Sequence, residues 1–323
     1  MFRVRLPVSA DNLWITLAAL LSFAAPASAV TVDLKLISAG NYDKNYAANV
    51  KRPFVARFHK GKHALIFVGV EHTYSEVSPM VMLTRDIIRG EKPDELLIEG
   101  WPSKKEPKLF LDYADKTCHD TYCEGGEAAF AAITASERKV PFEGVEPSDA
   151  QVLAALEDQG FSETDLNAYY FTRWIPQLRG SGRLTKGSLP GHFDEFVRSF
   201  GAVDFKYDDY VIWYQEKNGK PFVPELIDKD EVAPDADGRL FTQRLSAVVD
   251  VARNRYAAQL LADETDRKKK VLVVMAANRY FSMEEALTKA LGEPTFKQHV
   301  KAEEKVVDEP NPDFVDQGGG DVQ

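Results

Sequence analysis

The chain has 323 residues, a net charge of −10 at pH 7 and 44% hydrophobic residues. Such acidity disfavours nucleic acid as a partner, and the length suffices for one large core or two modest ones. After the N-terminus no stretch approaches the ~20 apolar residues that a membrane helix needs, so no span is expected in the mature chain.

In chain order, Arg3 and Arg5 give a basic start, Leu13 to Ala25 is mostly apolar, and Ala27-Ser28-Ala29 has the small residues of a cleavage site. This is the pattern of an export signal over residues 1–29. It predicts cleavage near Ala29 and a periplasmic or secreted product. A hairpin is expected next: Pro53 to Phe58, a turn through His59-Lys60-Gly61-Lys62, then His63 to Val68. The apolar run Ala64 to Val68 leads through Gly69, read as the residue that lets the chain turn, to His72. Ser78 suits the cap of a helix from Pro79 to Arg89, with Gly90 at its exit.

Leu96-Leu97-Ile98 reads as a short strand ending in Glu99-Gly100. The two cysteines, Cys118 and Cys123, favour a small disulfide loop in an oxidising compartment. The other reading, a metal site completed by His119, falls short of the four ligands zinc normally takes. A helix from Gly126 to Lys139, a strand from Phe142 to Val145 ending in Glu146-Pro147, and a helix from Ser148 to about Glu157 continue the alternation. Strand–helix alternation implies a parallel sheet.

Residues 161–234 break the pattern. Helices are expected at Thr164 to Leu178, His192 to Phe200 and Asp208 to Glu216, forming a helical insertion over the carboxyl edge of the strands. Tyr169, Tyr170, Trp174 and Leu178 recur at helical spacing, which reads as core packing. A long helix from Gly238 to Ala262, a buried strand from Val271 to Met275, a helix from Ser282 to Leu291 and an edge strand from Phe296 to Val306 follow. The last residues, 308–323, are rich in proline, glycine and acids, and are expected to be disordered. The fold class is therefore α/β: one domain over residues 30–307, with a mainly parallel central sheet flanked by helices and capped by the insertion.

Four strand ends carry a polar residue that the apolar run does not require: His72, Glu99, Glu146 and Asn278. Parallel neighbours would deliver them to one rim, where open α/β sheets place their ligands. An imidazole and two carboxylates can bind a divalent cation or move a proton, which makes His72, Glu99 and Glu146 the expected metal set. Glu71, Glu76 and Glu143 are nearby alternates. A Gly-x-Ser-x-Gly elbow, a phosphate-binding glycine loop and a His-Glu-x-x-His helix are all absent from the sequence.

The Gly69-x-x-His72 segment, the Leu97-Ile98-Glu99 strand end, the run Phe142 to Pro147, Arg253-Asn254 and the strand–turn from Val271 to Phe281 resemble the TraB/GumN/Tiki proteins. These belong to the erythromycin-esterase/ChaN-like superfamily, and the likeness spans about Ala64 to Leu291. The family pattern has two Gly-x-x-His segments, a glutamate and an arginine, and some Tiki members are metal-dependent proteases. By that resemblance Gly69 and His72 match the first segment, Glu99 the acid and Arg253 the arginine. The second segment departs from it, with Met275 in the glycine position and Asn278 in the histidine position. Asparagine is a poor transition-metal ligand beside imidazole.

Two functions follow from the resemblance. One is an exported hydrolase acting on a peptide or small molecule, with His72, Glu99, Arg253 and Asn278 as catalytic residues and Mn²⁺, Co²⁺ or Zn²⁺ as cofactor. The other is a non-catalytic haem- or iron-binding protein on the ChaN-like scaffold, with His72 or His192 as axial ligand under the aromatic cap. A blander third is a degenerate relative that lends a surface to a periplasmic partner.

Overall fold

A computed structural model describes residues 30–39, 44–180, 182–200 and 204–299. The expected export signal and acidic tail, and the edge strand beyond His299, lie outside them. The ordered elements run α1 (Lys44–Asn49), β1 (Phe54–Lys60), β2 (His63–Val70), α2 (Pro79–Glu91), β3 (Glu95–Pro102), α3 (Pro107–Thr117), β4 (Cys118–His119), β5 (Tyr122–Cys123), α4 (Gly126–Glu137), β6 (Phe142–Glu146) and α5 (Asp149–Glu157). After them come α6 (Glu163–Gly180), α7 (Leu189–Phe200), α8 (Tyr207–Asn218), α9 (Phe241–Arg267), β7 (Lys270–Ala276), α10 (Ala277–Leu291) and β8 (Thr295–Gln298).

The architecture is the expected α/β. Six strands form one sheet in the order β6-β3-β7-β2-β1-β8. The four strands β6, β3, β7 and β2 are parallel, and β1 pairs antiparallel with both β2 and β8. Alternation along the strands builds two cores. Phe54, Phe67, Leu97, Val271, Val273 and Met275 face α9 and α10, whereas Val55, Val68, Ile98, Leu272 and Val274 face the side covered by α2, α3 and α4. Strands buried on both faces read as unbroken apolar runs, as Val271 to Met275 does.

Gly69 does not turn the chain. It lies inside β2, paired with Phe54 on one side and Met275 on the other. A Cβ there would overlap the Phe54 ring, so glycine makes room for the aromatic packing of Phe54 on Tyr280, Phe281 and Phe296. Gly90 likewise stays inside α2, and Lys92 supplies the left-handed residue at the exit, with φ of 49°. The last long helix begins at Ala277 and not at Ser282. Its first turn therefore contains Asn278 and Arg279, which matters below.

The insertion has its own core. Phe171 on α6, Phe193 on α7, and Tyr210 and Trp213 on α8 pack together. Asp165 accepts a hydrogen bond from Trp213 Nε1 at 2.8 Å and pairs with Lys217 at 3.1 Å. The buried Glu231 accepts from the Tyr214 hydroxyl and from Lys220 Nζ. A further cluster, with Val152, Leu156, Leu166, Tyr169, Leu245 and Val249, joins α5, α6 and α9 and seats the insertion on the α/β body.

Candidate active site

Strand β3 continues past Glu99 through an irregularity that leaves Pro102 opposite Glu146 on β6. This brings the two glutamates to one rim. Glu146 accepts from Arg253 Nε at 2.8 Å and Nη2 at 2.9 Å, the two-pronged geometry of a guanidinium on a carboxylate. It also accepts from Arg279 Nη1, and from the Gly100 N–H at 3.3 Å. Glu99 accepts the Ala276 N–H at 2.6 Å, which ties β3 to the junction of β7 and α10, and pairs with Arg279 at 3.2 Å and Arg253 at 3.8 Å.

Helix α9 presents Asp250, Arg253 and Asn254 to this cluster, a spacing that puts all three on one helical face. Asn254 accepts from Arg279 Nε at 2.7 Å and donates to Asp250 at 3.0 Å. Burial alone would push the Glu146 carboxyl up, but Arg279 and Arg253 outweigh it and hold its pKa at about 2. Burial wins at Asp250, whose pKa is raised despite the same two arginines. Arg253 is driven further up by Glu146 against its own desolvation, so it stays charged. Arg279 is nearly enclosed, its side chain 6% exposed, and its Nη2 has no hydrogen-bond partner among the described residues.

His72 follows the end of β2, two strands from Glu99, which amounts to about 10 Å of backbone separation. Its partner is Glu127 in the first turn of α4, with Nδ1 to Oε1 at 2.7 Å. The other Glu127 oxygen accepts the Thr73 N–H at 3.1 Å. A carboxylate in a first helical turn is further favoured by the helix dipole. The imidazole is 65% exposed and the Glu127 side chain 7% exposed, so a buried acid holds an open base by one nitrogen. The hydrogen bond to Glu127 raises the His72 pKa; burial opposes this, the charges of Glu127 and Glu99 add to it, and Arg173 on α6 lowers it.

The loop after His72 is pinned from the other side. Cys118 and Cys123 form a disulfide across β4 and β5. From this hairpin the Cys123 N–H donates to Tyr74 O at 2.9 Å, and Thr121 O accepts the Glu76 N–H at 2.7 Å.

Of the expected residues, Glu99, Glu146 and Arg253 come together. His72 lies on the same rim with a carboxylate of its own. Asn278 is exposed and accepts from Arg52 Nη2 at 3.4 Å, while Arg52 also pairs with Glu71 at 3.7 Å, so Asn278 serves the rim rather than the glutamate–arginine cluster. Glu76 is taken by Arg85, and Glu143 by the Lys104 N–H. His192 on α7 uses Nε2 on Arg183 O at 3.1 Å.

The two carboxylates of the expected metal set are not open to a cation, because both oxygens of Glu146 and both of Glu99 are engaged by guanidinium or backbone N–H groups. His72 is held by Glu127 through Nδ1 alone and keeps Nε2 open. No group of three or more His, Cys, Asp or Glu side chains able to hold a metal ion occurs among the described residues. Glu127, Arg279, Asp250 and Asn254 were missed as site residues. Asp250 could have been found from its helical spacing to Arg253, but Glu127 and Arg279 carry no local signal. No protein-family model matches this chain, and no curated protein matches it.

Proposed function

We propose that this chain is a hydrolase of the TraB/GumN/Tiki type in which His72 is the general base. The pairing of His72 Nδ1 with the buried Glu127, which leaves the exposed ring free to work through Nε2, carries the reading. A carboxylate on the far nitrogen fixes the tautomer and stabilises the imidazolium that forms. Nε2 would take a proton from water as the water oxygen attacks an acyl carbon. The displaced electron pair moves onto the carbonyl oxygen and returns as the leaving group departs with the proton from His72. General base action of this kind contributes roughly 10²–10⁴-fold.

Arg253, the more open of the two arginines, is the group placed to meet a developing oxyanion, and Glu99 and Glu146 hold it and the enclosed Arg279 rigid. Both carboxylates are spent on this positioning, so the reading requires no metal ion. Of the two axial-ligand candidates of the haem alternative, His192 gives its Nε2 to a backbone carbonyl, whereas His72 keeps its Nε2 open.

The test is hydrolysis of 4-nitrophenyl acetate and of a quenched-fluorescent peptide library by the protein from residue 30 onward. His72→Ala should lower kcat/KM by at least ~100-fold at unchanged Tm. Dialysis against EDTA should leave the rate intact. A rate that His72→Ala does not change removes the proposal; loss on dialysis with recovery in Mn²⁺, Co²⁺ or Zn²⁺ restores the metal-dependent reading.

A further inference from the structure

Tyr170, Arg173, Trp174 and Gln177 lie at i, i+3, i+4 and i+7 on α6, one face of the helix running about 10 Å along its axis. With Glu195 and Phe196 of α7 they line a cleft of ≈ 450 Å³. That volume falls toward the small end of ligand pockets, which span roughly 300–1,000 Å³. Tyr170, one wall of the cleft, also packs against the cluster that joins α6 to α9, the helix that carries Asp250 and Arg253. In keeping with that placement, the Arg173 charge lowers the pKa of both His72 and Asp250.

The charges in the cleft are unequally matched. Glu195 is shared by Arg183 at 3.6 Å and His192 at 3.7 Å. Arg183 also lies over the Trp174 ring, 5.5 Å from its centroid. Arg173 is exposed and makes no hydrogen bond or ion pair among the described residues. The remaining arginines of the site, Arg253 and Arg279, are matched by Glu99 and Glu146. A surface arginine without a carboxylate is commonplace. One that lines an aromatic-walled cleft on the helix packed against α9 is placed to read a ligand. Its planar fork suits a carboxylate, and the half-buried Trp174 and the mostly buried Phe196 give the cleft an aromatic lining for whatever that carboxylate is attached to.

We infer that the cleft between α6 and α7 is a specificity subsite for an aromatic or similarly flat apolar group bearing a carboxylate, with Arg173 as the residue that selects the negative charge. The inference rests on the hydrolase reading in one respect, that it takes the bound group to be part of the substrate. The ligand would lie along the α6 face, its charged end at Arg173 and its scissile bond toward His72. A substrate of this class is an N-acyl aromatic amino acid or a peptide ending in an aromatic residue.

Binding can be measured apart from catalysis. Indole-3-acetate and the neutral indole-3-acetamide are titrated by calorimetry into the wild-type protein and into His72→Ala. Both proteins should prefer the acid at least ~10-fold, the range of a hydrogen bond to a charged group. Arg173→Ala should abolish that preference, and Arg173→Lys should restore part of it, with Tm unchanged in each. Equal binding of acid and amide, or a preference that survives Arg173→Ala, overturns the subsite whatever 4-nitrophenyl acetate reports about His72. Conversely, a preference lost in Arg173→Ala stands even if no ester or peptide is cleaved.

Discussion

At His72 the decisive quantity is which nitrogen is committed. Nδ1 belongs to Glu127, so Nε2 is the atom available to a substrate, and that hydrogen bond also raises the pKa of the ring. The base form is then populated only above the ordinary histidine range near 6.5. The acidic limb of the kcat/KM profile should accordingly lie above that range. Glu127→Gln keeps the shape and removes the charge, so the limb should move to lower pH while the plateau falls by at least ~10-fold. An unshifted limb would show that the titrating group is another residue. The Glu146 prediction concerns stability instead. Glu146→Gln leaves Arg253 and the enclosed Arg279 with only Glu99 to answer them, and breaking a buried ion pair from one side costs roughly 3–5 kcal/mol. Urea unfolding should show a loss of that order, and a loss under ~1 kcal/mol would mean that the cluster is hydrated and loosely held.

Among the elements, β2 and α10 define how the rim is assembled. Gly69 sits against Phe54, and Met275 lies beside it in register on β7. Gly69→Ala should destabilise the protein by roughly 1–3 kcal/mol, the usual cost of overpacking a core, and a neutral Tm would contradict the close approach. This arrangement also explains what could be read from the sequence and what could not. The apolar runs at Ala64 to Val68, Leu96 to Ile98 and Val271 to Met275 specify buried parallel strands, and parallel order places Glu99 and Glu146 on a shared edge. Arg253 was legible only through the family resemblance. Arg279 is not legible, because the N-cap position, Ala276, has no capping side chain, and the sequence signals point to a helix start at Ser282, five residues after the actual one at Ala277. Glu127 falls in the first turn of the helix expected from Gly126 to Lys139, and nothing around it marks it as a site residue. Its pairing with His72, 55 positions earlier in the chain, depends on how α4 packs beside β2. The Cys118–Cys123 hairpin was expected as a small staple, yet its clamp on Tyr74 and Glu76 became visible only in three dimensions.

Across the whole molecule, proton uptake should give an acid-shifted stability maximum. His72 is raised by Glu127. Asp250, Glu264 and Glu284 are raised chiefly by burial, with Glu95 adding to Glu264. Each of these groups binds its proton more tightly folded than unfolded, so its contribution is complete below the unfolded pKa and is lost as pH rises through the folded one. His299, lowered chiefly by burial, opposes them as pH falls through the ordinary histidine range, but it is one group against four, so stability should increase as pH falls from 8 toward about 5. Glu146 works in the opposite sense. Its pKa of about 2 lies below the unfolded value of 4.5, so its contribution is present above 4.5 and disappears as pH drops toward 2. At about 1.4 kcal/mol per unit, that single carboxylate removes on the order of 3 kcal/mol across this interval. The lowered carboxyls of Glu91, held down chiefly by Lys270, and Asp165, where hydrogen bonds from Trp213 and Ser162 outweigh burial, act in the same direction. The net charge of −10 at pH 7 also shrinks on mild acidification, relieving self-repulsion in the compact state. Urea unfolding from pH 3 to 8 should show a maximum between roughly pH 4.5 and 6, with a steep acid side. In Glu146→Gln the acid side should flatten while the alkaline slope stays. A curve that instead falls steadily from pH 7 to pH 5 would show that the raised groups are not held as the structure places them.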